Sequence, residues 1–347
     1  MTPALRIISP GLSTTVQDLG RHGHQRLGVS VGGALDPVSF RAANALVGNP
    51  GNTGALEAIY VGPSLAIDAD DARLSFVGAD ASIEILETAD ANAGETIAPM
   101  RSVRLRRGQV VRVGSIKNGA VLYVAVEGGF AIEPVLGSVA TDGRGRMGGW
   151  HGRPLSDGDV LPLRRAAATE RDECRLEGFD LIAPHRIRVV LGPQNDCFSA
   201  DEIGRFFSSE YTVTAGSNRM GMRLEGATIR HRNGFNIVSD AIATGSVQVP
   251  GNGRPIILLA DHQTTGGYPK IATVISADLP AVGRLPIGSK ISFTPVTLEQ
   301  AAAARRELCA ALDAIDDKIV RLSPPPAAVA ARLTACNLIS GVCDAAA

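Results

Sequence analysis

The stretch Ile256 to Ser276, IILLADHQTTGGYPKIATVIS, places two apolar runs on either side of a polar insert that opens at Asp261. Short runs rich in Ile and Val, bounded by Gly and Pro, are strand-forming. A plain connection needs only Gly or Pro with one short polar residue, so the run from Gln263 through Thr264, Thr265, Gly266, Gly267, Tyr268 and Pro269 to Lys270 exceeds what turn geometry demands. The insert is therefore a candidate site held between two buried strands. Just upstream, Ser246 to Val249 and Ile256 to Leu259 flank Pro250-Gly251-Asn252-Gly253, residues that tolerate the backbone of a tight turn, and predict a hairpin.

The same punctuation recurs along the chain. With 39 Gly and 20 Pro among 347 residues, apolar runs such as Arg73 to Val77, Ser82 to Leu86, Gln109 to Val113 and Ala120 to Val126 read as antiparallel strands of a mainly β protein. One helix is signalled at Asp36, an N-cap followed by Pro37 in the first turn, with Phe40, Ala43 and Leu46 on one face and Gly48 as the stop. The charged segment Arg164 to Arg175 has no strand pattern and reads as a linker. Beyond it, Arg186 to Leu191 and Tyr211 to Thr214 read as strands and Phe198 to Phe207 as a helix. Leu308, Leu312, Ile315, Ile319 and Leu322 recur at helical spacing, predicting a long helix with one apolar face that docks on the chain's own β body or on a partner. Pro324 to Pro326 would end it, before an Ala-rich tail.

The length suggests about two domains. A formal net charge of −1 gives no global attraction to nucleic acid or to an acidic membrane surface. The five cysteines, Cys174, Cys197, Cys309, Cys336 and Cys343, match neither a disulfide framework nor a zinc signature. No apolar run approaches the roughly 18 residues of a membrane span and no leader pattern opens the chain, so a soluble, reducing, cytoplasmic setting is expected.

Several short patterns fail on context. Gly143, Gly145 and Gly148 satisfy GxGxxG, but Gly149, Gly152 and Pro154 break the helix that would hold a pyrophosphate. Gly28 to Gly32 spells a nucleophile elbow without a buried strand before it. His22 and His24 lack neighbouring acidic or cysteine ligands and read as loop residues rather than a metal site. No lysine sits in a phosphate-loop pattern; lysine occurs only at Lys117, Lys270, Lys290 and Lys318. Two longer segments remain, Thr14 to Arg21 continuing to Asp36, and Ser217 to Gly226 followed by Gly245 to Pro250. Each combines Arg, carboxamide, Thr and Gly, a set suited to a small amide or carboxylate, although Arg219 and Arg223 could equally pair with acidic residues and Asp18 could cap a turn.

Across these segments the chain resembles the biotin-dependent carboxyltransferase family, also called the allophanate hydrolase subunit 2 or KipA-like family, and within it the 5-oxoprolinase branch. The resemblance runs from about residue 5 to residue 294 through the blocks TTVQDLGR, GALD, ANALVGN, ALE, GGWHGRPL, LGPQND, SNRMGMRLEG, GSVQVPGNGRPIILLADHQTTGGYPKIATVISADL and IGSKISF. It implies two cyclophilin-like antiparallel β-barrel units, residues 1–165 and 176–296, followed by a helical extension over 297–347. It also implies one member of an ATP-dependent complex that opens 5-oxoproline to glutamate. The implied partners are a subunit 1 of the KipI-like type, which is the B component of 5-oxoprolinase, and an A component of the LamB/YcsF type, with ATP used by the complex. Carboxyl transfer from carboxybiotin to urea or a related amide, and a KipA-like regulatory role, stay open as alternatives, the former with biotin as cofactor.

On this reading Asp261 positions or deprotonates the amide nitrogen or a water. Arg219, Gln248 and the amides near Gly266 and Gly267 stabilise an oxyanion, and Tyr268 and Lys270 orient substrate or phosphate. Asp18, Arg21, Asn218, Gln263, Thr264 and Thr265 complete the expected substrate-binding set. The chain departs from the family's usual residues at Gly32, Val139, Ala140, Cys197, Asp240 and Arg284.

Overall fold

Two strands of unusual length organise the first unit, Asp71–Leu86 and Val110–Val126, paired antiparallel over most of their extent. The computed structural model describes residues 2–322 except 92 and 182, so the expected helix end at Pro324 to Pro326, the Ala-rich tail, Cys336 and Cys343 lie outside the described residues. Each long strand joins two of the apolar runs that the sequence presents as separate strands. Irregularity after Gly78 bends the first of them: Gly78 has φ +143°, and a Cβ there would stand 2.6 Å from the carbonyl oxygen of Val121. Only glycine fits that approach.

The chain is mainly β, as expected. Of the two barrels expected, the second is a closed ring of seven strands, while the nine strands of the first unit join Cys174–Leu176 and Ile319–Arg321 in a branched sheet of eleven. The branching follows from strand length, because Val110–Val126 serves Ser64–Ile67 at one end and Ala55–Ile59 at the other. The barrel closes where Lys290–Pro295 pairs in parallel with Arg186–Leu191. The expected hairpin is present within it, Ser246–Gln248 against Ile256–Leu258, with Gly253 at φ +71° in the connection. Inward residues including Ile187, Val189, Phe206, Tyr211, Val247, Ile257 and Phe293 fill the barrel, and Leu5, Val16, Leu74, Phe76, Leu122 and Val124 fill the first unit.

Helix α1, Pro37–Leu46, forms where the cap signals place it. The Asp36 carboxylate accepts from the amides of Val38 and Ser39, and Phe40 and Leu46 pack with Val77, Val121 and Tyr123 on the outer face of the sheet. Helix α2, Ala200–Ser208, is capped by Ser199, and α3, Leu279–Arg284, begins with Pro280 in its first turn.

Two expectations are corrected. The charged segment read as a linker is fastened to the first unit. The guanidinium of Arg73, fully buried, donates to Glu127 at 2.6 Å, to Glu173 at 2.9 Å and to the carbonyls of Thr169 and Arg171, and Cys174–Leu176 forms a strand. Secondly, the apolar stripe is not one helix: α4, Leu298–Asp313, ends before Ile315, and Ile319–Arg321 becomes a strand paired with Cys174–Leu176. Spacing of apolar residues alone does not distinguish these outcomes, and the β-branched Ile319 and Val320 favour the sheet edge. Ile315 is buried beside α1, so this extension docks on the chain's own body. No helix among the described residues is long and apolar enough to cross a membrane.

Candidate functional site

A turn at Asn218 begins the site. The Asn218 side-chain oxygen accepts from the amides of Met220 and Gly221, which turns the chain sharply and presents Arg219 toward the first unit. Backbone bonds from Asp261 to Arg219 and from Leu259 to Met220 set Asp261 beside it. The guanidinium of Arg219 then grips Asp261 in a two-pronged contact, Nε to Oδ2 and Nη2 to Oδ1 both at 2.8 Å. Its remaining donors cross to the first unit, reaching the carbonyl of Gly33 at 2.7 Å and the carboxylate of Glu57.

Glu57, absent from the expected set, is fully buried and anchors this network. Its Oε2 accepts from Tyr123 Oη at 2.5 Å and from the Leu35 amide at 2.8 Å. Burial and the neighbouring Glu57 and Asp36 carboxylates hold the Tyr123 phenol well above its usual pKa. Burial opposes the charge on Arg219, but Glu57 and Asp261 more than compensate and raise its pKa. Arg219 is therefore a largely buried tie between the units, and its donors are committed to two carboxylates and a carbonyl rather than free for an oxyanion. A second tie lies nearby: Arg284, one of the departures from the family pattern, donates to Asp36 at 2.8 Å.

The polar insert itself docks on a short strand pair, Asp240–Ala241 against Thr265–Gly266. Lys270 is buried, and its ammonium donates to Asp240 Oδ2 at 2.7 Å and to the Ala241 carbonyl at 3.0 Å. Gln194, from the LGPQND block, donates to the same Asp240 oxygen at 2.9 Å, and these two contacts hold the Asp240 carboxylate below its ordinary pKa. Buried Gln248 donates to the Tyr268 carbonyl at 3.4 Å. Gly266 lies between the side-chain amides of Gln248 and Gln263, where a Cβ would stand 2.7 Å from the former. Tyr268 is exposed and Gly267 receives the amide of Ile237 on its carbonyl.

The two expected residues of the first unit serve its architecture. Asp18 accepts from Ser138 Oγ at 2.6 Å and from the amides of Gly20 and Val139 at 2.8 Å, so it closes a turn. Arg21 is almost wholly buried and donates to the Ala140 carbonyl, while its Nε and Nη1 have no hydrogen-bond partner among the described residues. Gly32 stands between Arg21 and Asp261.

A cleft of about 280 Å³ opens where the units meet, lined by Asp261, His262, Gln263 and Thr264 from the second and by Ser30, Asp142 and Arg144 from the first. His262 is buried, with Nδ1 at 2.6 Å from the Gln263 carbonyl and Nε2 at 3.0 Å from Thr244 Oγ1; burial lowers its pKa, favouring the neutral ring. Ser30 donates to Asp142 at 3.2 Å, and because both His262 nitrogens are engaged elsewhere, no serine–histidine couple forms. The structure thus brings Asp261, Gln263 and Thr264 to one cleft. Thr265, Gly266, Gly267 and Tyr268 form the adjoining loop, with Gln248 and Lys270 set against it from the strands Ser246–Gln248 and Lys270–Val274, and Asp18, Arg21, Asn218 and Arg219 build the supporting wall. Ser30, Glu57, Asp142, Gln194, Asp240 and His262 join them without being singled out by the sequence as site residues. The LGPQND and ALE blocks carry the signal for Gln194 and Glu57. Among the described residues no group of three or more His, Cys, Asp or Glu side chains is arranged to hold a metal ion.

Comparison with known proteins adds three findings. The family model described as the carboxyltransferase domain, subdomain A and B, matches residues 27–295. The C subunit of the Escherichia coli K12 5-oxoprolinase is 39% identical over 306 residues, 87% of this chain and 94% of that protein, and its namesake from Haemophilus influenzae is 37% identical over 84% and 91% respectively. The crystal structure of the Kluyveromyces lactis urea carboxylase superimposes with a TM-score of 0.81 at 29% identity, over 94% of this chain and 31% of that one.

Proposed function

This chain belongs to the carboxyltransferase-domain family, subdomain A and B, and we propose that within it the chain works as the C subunit of a 5-oxoprolinase. The observation that carries this reading is the near-complete correspondence with two proteins of that name, 94% and 91% of whose lengths are matched. Other members of a complex follow from the reading. Its finer form is ATP-dependent opening of the lactam of 5-oxoproline to glutamate, together with a KipI-like B component and a LamB/YcsF-type A component.

The inter-unit cleft suits such a substrate. The Gln263 side chain can pair with the N–C=O edge of a lactam, Asp261 offers a carboxylate to its N–H, and the exposed Arg144 can meet the substrate carboxylate. Asp261 acts here by position, since both its oxygens already accept from Arg219. Lys270, buried and neutralised by Asp240, stiffens the loop that carries Gln263 and Thr264. The sequence carries no P-loop pattern, since none of its four lysines is followed by Ser or Thr, and on this reading ATP is assigned to the partner proteins.

Reconstitution tests this reading. The chain mixed with the B and A components should release glutamate from 5-oxoproline only when ATP is present, and omission of the chain should abolish release. No release from the full mixture would sink the assignment, and ATP-dependent release by the chain alone would refute the division of labour. The match to a carboxyltransferase model and to urea carboxylase favours a second reading, carboxyl transfer to an amide. That reading requires free biotin to bind, and Gln263 and Thr264 would suit a cyclic urea edge. Calorimetry showing 5-oxoproline but not biotin bound in the presence of the partners would exclude it.

A further inference from the structure

Across the backbone bond from Gly32 to Ala260 lies a second, larger cavity of about 400 Å³, within the size range of small-molecule sites. Its walls are mainly apolar, with Leu35 and Val38 from the first unit and Leu259 and Leu279 from the second. Leu308 and Leu312 of α4 complete it, and α4 lies beyond the region matched by the family model. The C-terminal extension therefore supplies one wall of the cavity, and it is fixed at one end by the Thr297–Gln300 capping box and at the other by the strand Ile319–Arg321.

Two arginines border this apolar space, Arg41 on α1 and Arg305 on α4. Neither makes a hydrogen bond or ion pair among the described residues. Asp313 and Asp316 share a neighbouring cleft with Arg41 without pairing to it. This contrasts with Arg73, Arg188, Arg219 and Arg284, each of which is matched to a carboxylate. Guanidinium groups recognise carboxylates by paired hydrogen bonds, and an apolar wall favours a hydrocarbon that leaves water. We propose that this cavity binds a small monocarboxylic acid, its carboxylate held by Arg41 and Arg305 and its hydrocarbon body covered by Leu35, Leu259 and Leu308. The site is separate from the cleft assigned to the lactam. Because α4 supplies part of it, occupancy tightens the extension against both units.

Titration calorimetry of the full chain with hexanoate tests the site, with 1-hexanol as a probe of the same length but no charge. Hexanoate should bind with one-to-one stoichiometry, and Arg305→Ala or Arg41→Ala should weaken it by about tenfold or more, as expected for loss of a hydrogen bond to a charged group. Arg306→Ala, the adjacent exposed arginine that does not line the cavity, should leave the affinity unchanged. Leu308→Trp should block binding by filling the space, with the thermal melt confirming a folded chain. No saturable hexanoate binding, equal binding of 1-hexanol, or an Arg306→Ala loss as large as that of Arg305→Ala would each overturn the proposal.

Discussion

Replacing Arg219 by methionine should destabilise the chain by about 3–5 kcal/mol, the cost of breaking a buried ion pair from one side. The figure follows from what the substitution strands. Glu57 is completely buried and keeps only Tyr123 and the Leu35 amide, so its charge is left without a cation and shielded from bulk solvent. Asp261 loses two bonds of 2.8 Å, but its side chain is 14% exposed at the cleft and rehydrates in part. Adding four charged hydrogen bonds at about 1.5–3 kcal/mol each would overstate the loss, because solvent recovers the Asp261 side. Urea unfolding is the assay, followed by far-UV circular dichroism and by fluorescence of Trp150, the single tryptophan, which lies in the first unit. Adding Glu57→Gln to Arg219→Met should recover about 1 kcal/mol or more by removing the stranded charge, whereas Arg223→Met, on an exposed side chain, should stay within about 0.5 kcal/mol of the parent. An Arg219→Met loss below about 1 kcal/mol, or no recovery in the double variant, would show that the tie does not carry the interface.

Four further outcomes follow. Tyr123 has a raised folded pKa, so its contribution is complete below the unfolded value near 10 and is lost as pH climbs toward the folded value; Tyr123→Phe should flatten the alkaline decline in urea midpoint. His262 has a lowered folded pKa, so the contribution of its neutral ring is present above about 6.5 and is lost as pH falls below it; His262→Gln should shrink the difference between urea midpoints at neutral and mildly acidic pH. Lys270→Met should lower kcat of the reconstituted complex by about a hundredfold through loosening of the loop at the cleft, with the melt close to that of the parent, and an unchanged kcat would remove Lys270 from the site. Ile315→Ala should cost about 2–4 kcal/mol if the C-terminal extension is part of the folded body, and a loss within about 0.5 kcal/mol would mean that it is not.

Local chemistry makes much of the scaffold readable. Asp36 and Pro37 announce α1 because capping and a fixed φ act within a few residues, and Gly251 to Gly253 announce the hairpin for the same reason. The polar insert at Asp261 is visible because it exceeds what a turn requires. Pairing across the chain is not visible: Glu57 meets Arg219 from 162 residues away, and Asp36 meets Arg284 from 248. A buried acid in a strand reads as an exposed one until its partner is known. The end of α4 escapes for a different reason, since Ile315 and Ile319 continue a helical spacing while belonging to a turn and a strand.

The ion pairs also bear on how the cleft works. Asp261 lines the cleft, yet its orientation is set by Arg219, and Arg219 is held by Glu57 and Gly33 of the other unit. The cleft is therefore shaped by the relation between units as much as by either alone. Arg284 and Asp36 fix that relation a second time, at the N-terminus of α1, the helix that also carries Arg41 into the larger cavity. The larger cavity is lined by α1, α4 and the second unit, across the same boundary on which Asp261 depends. Binding in the larger cavity, as proposed, is then expected to be linked to the cleft through the ties that Arg219 and Arg284 make between the units.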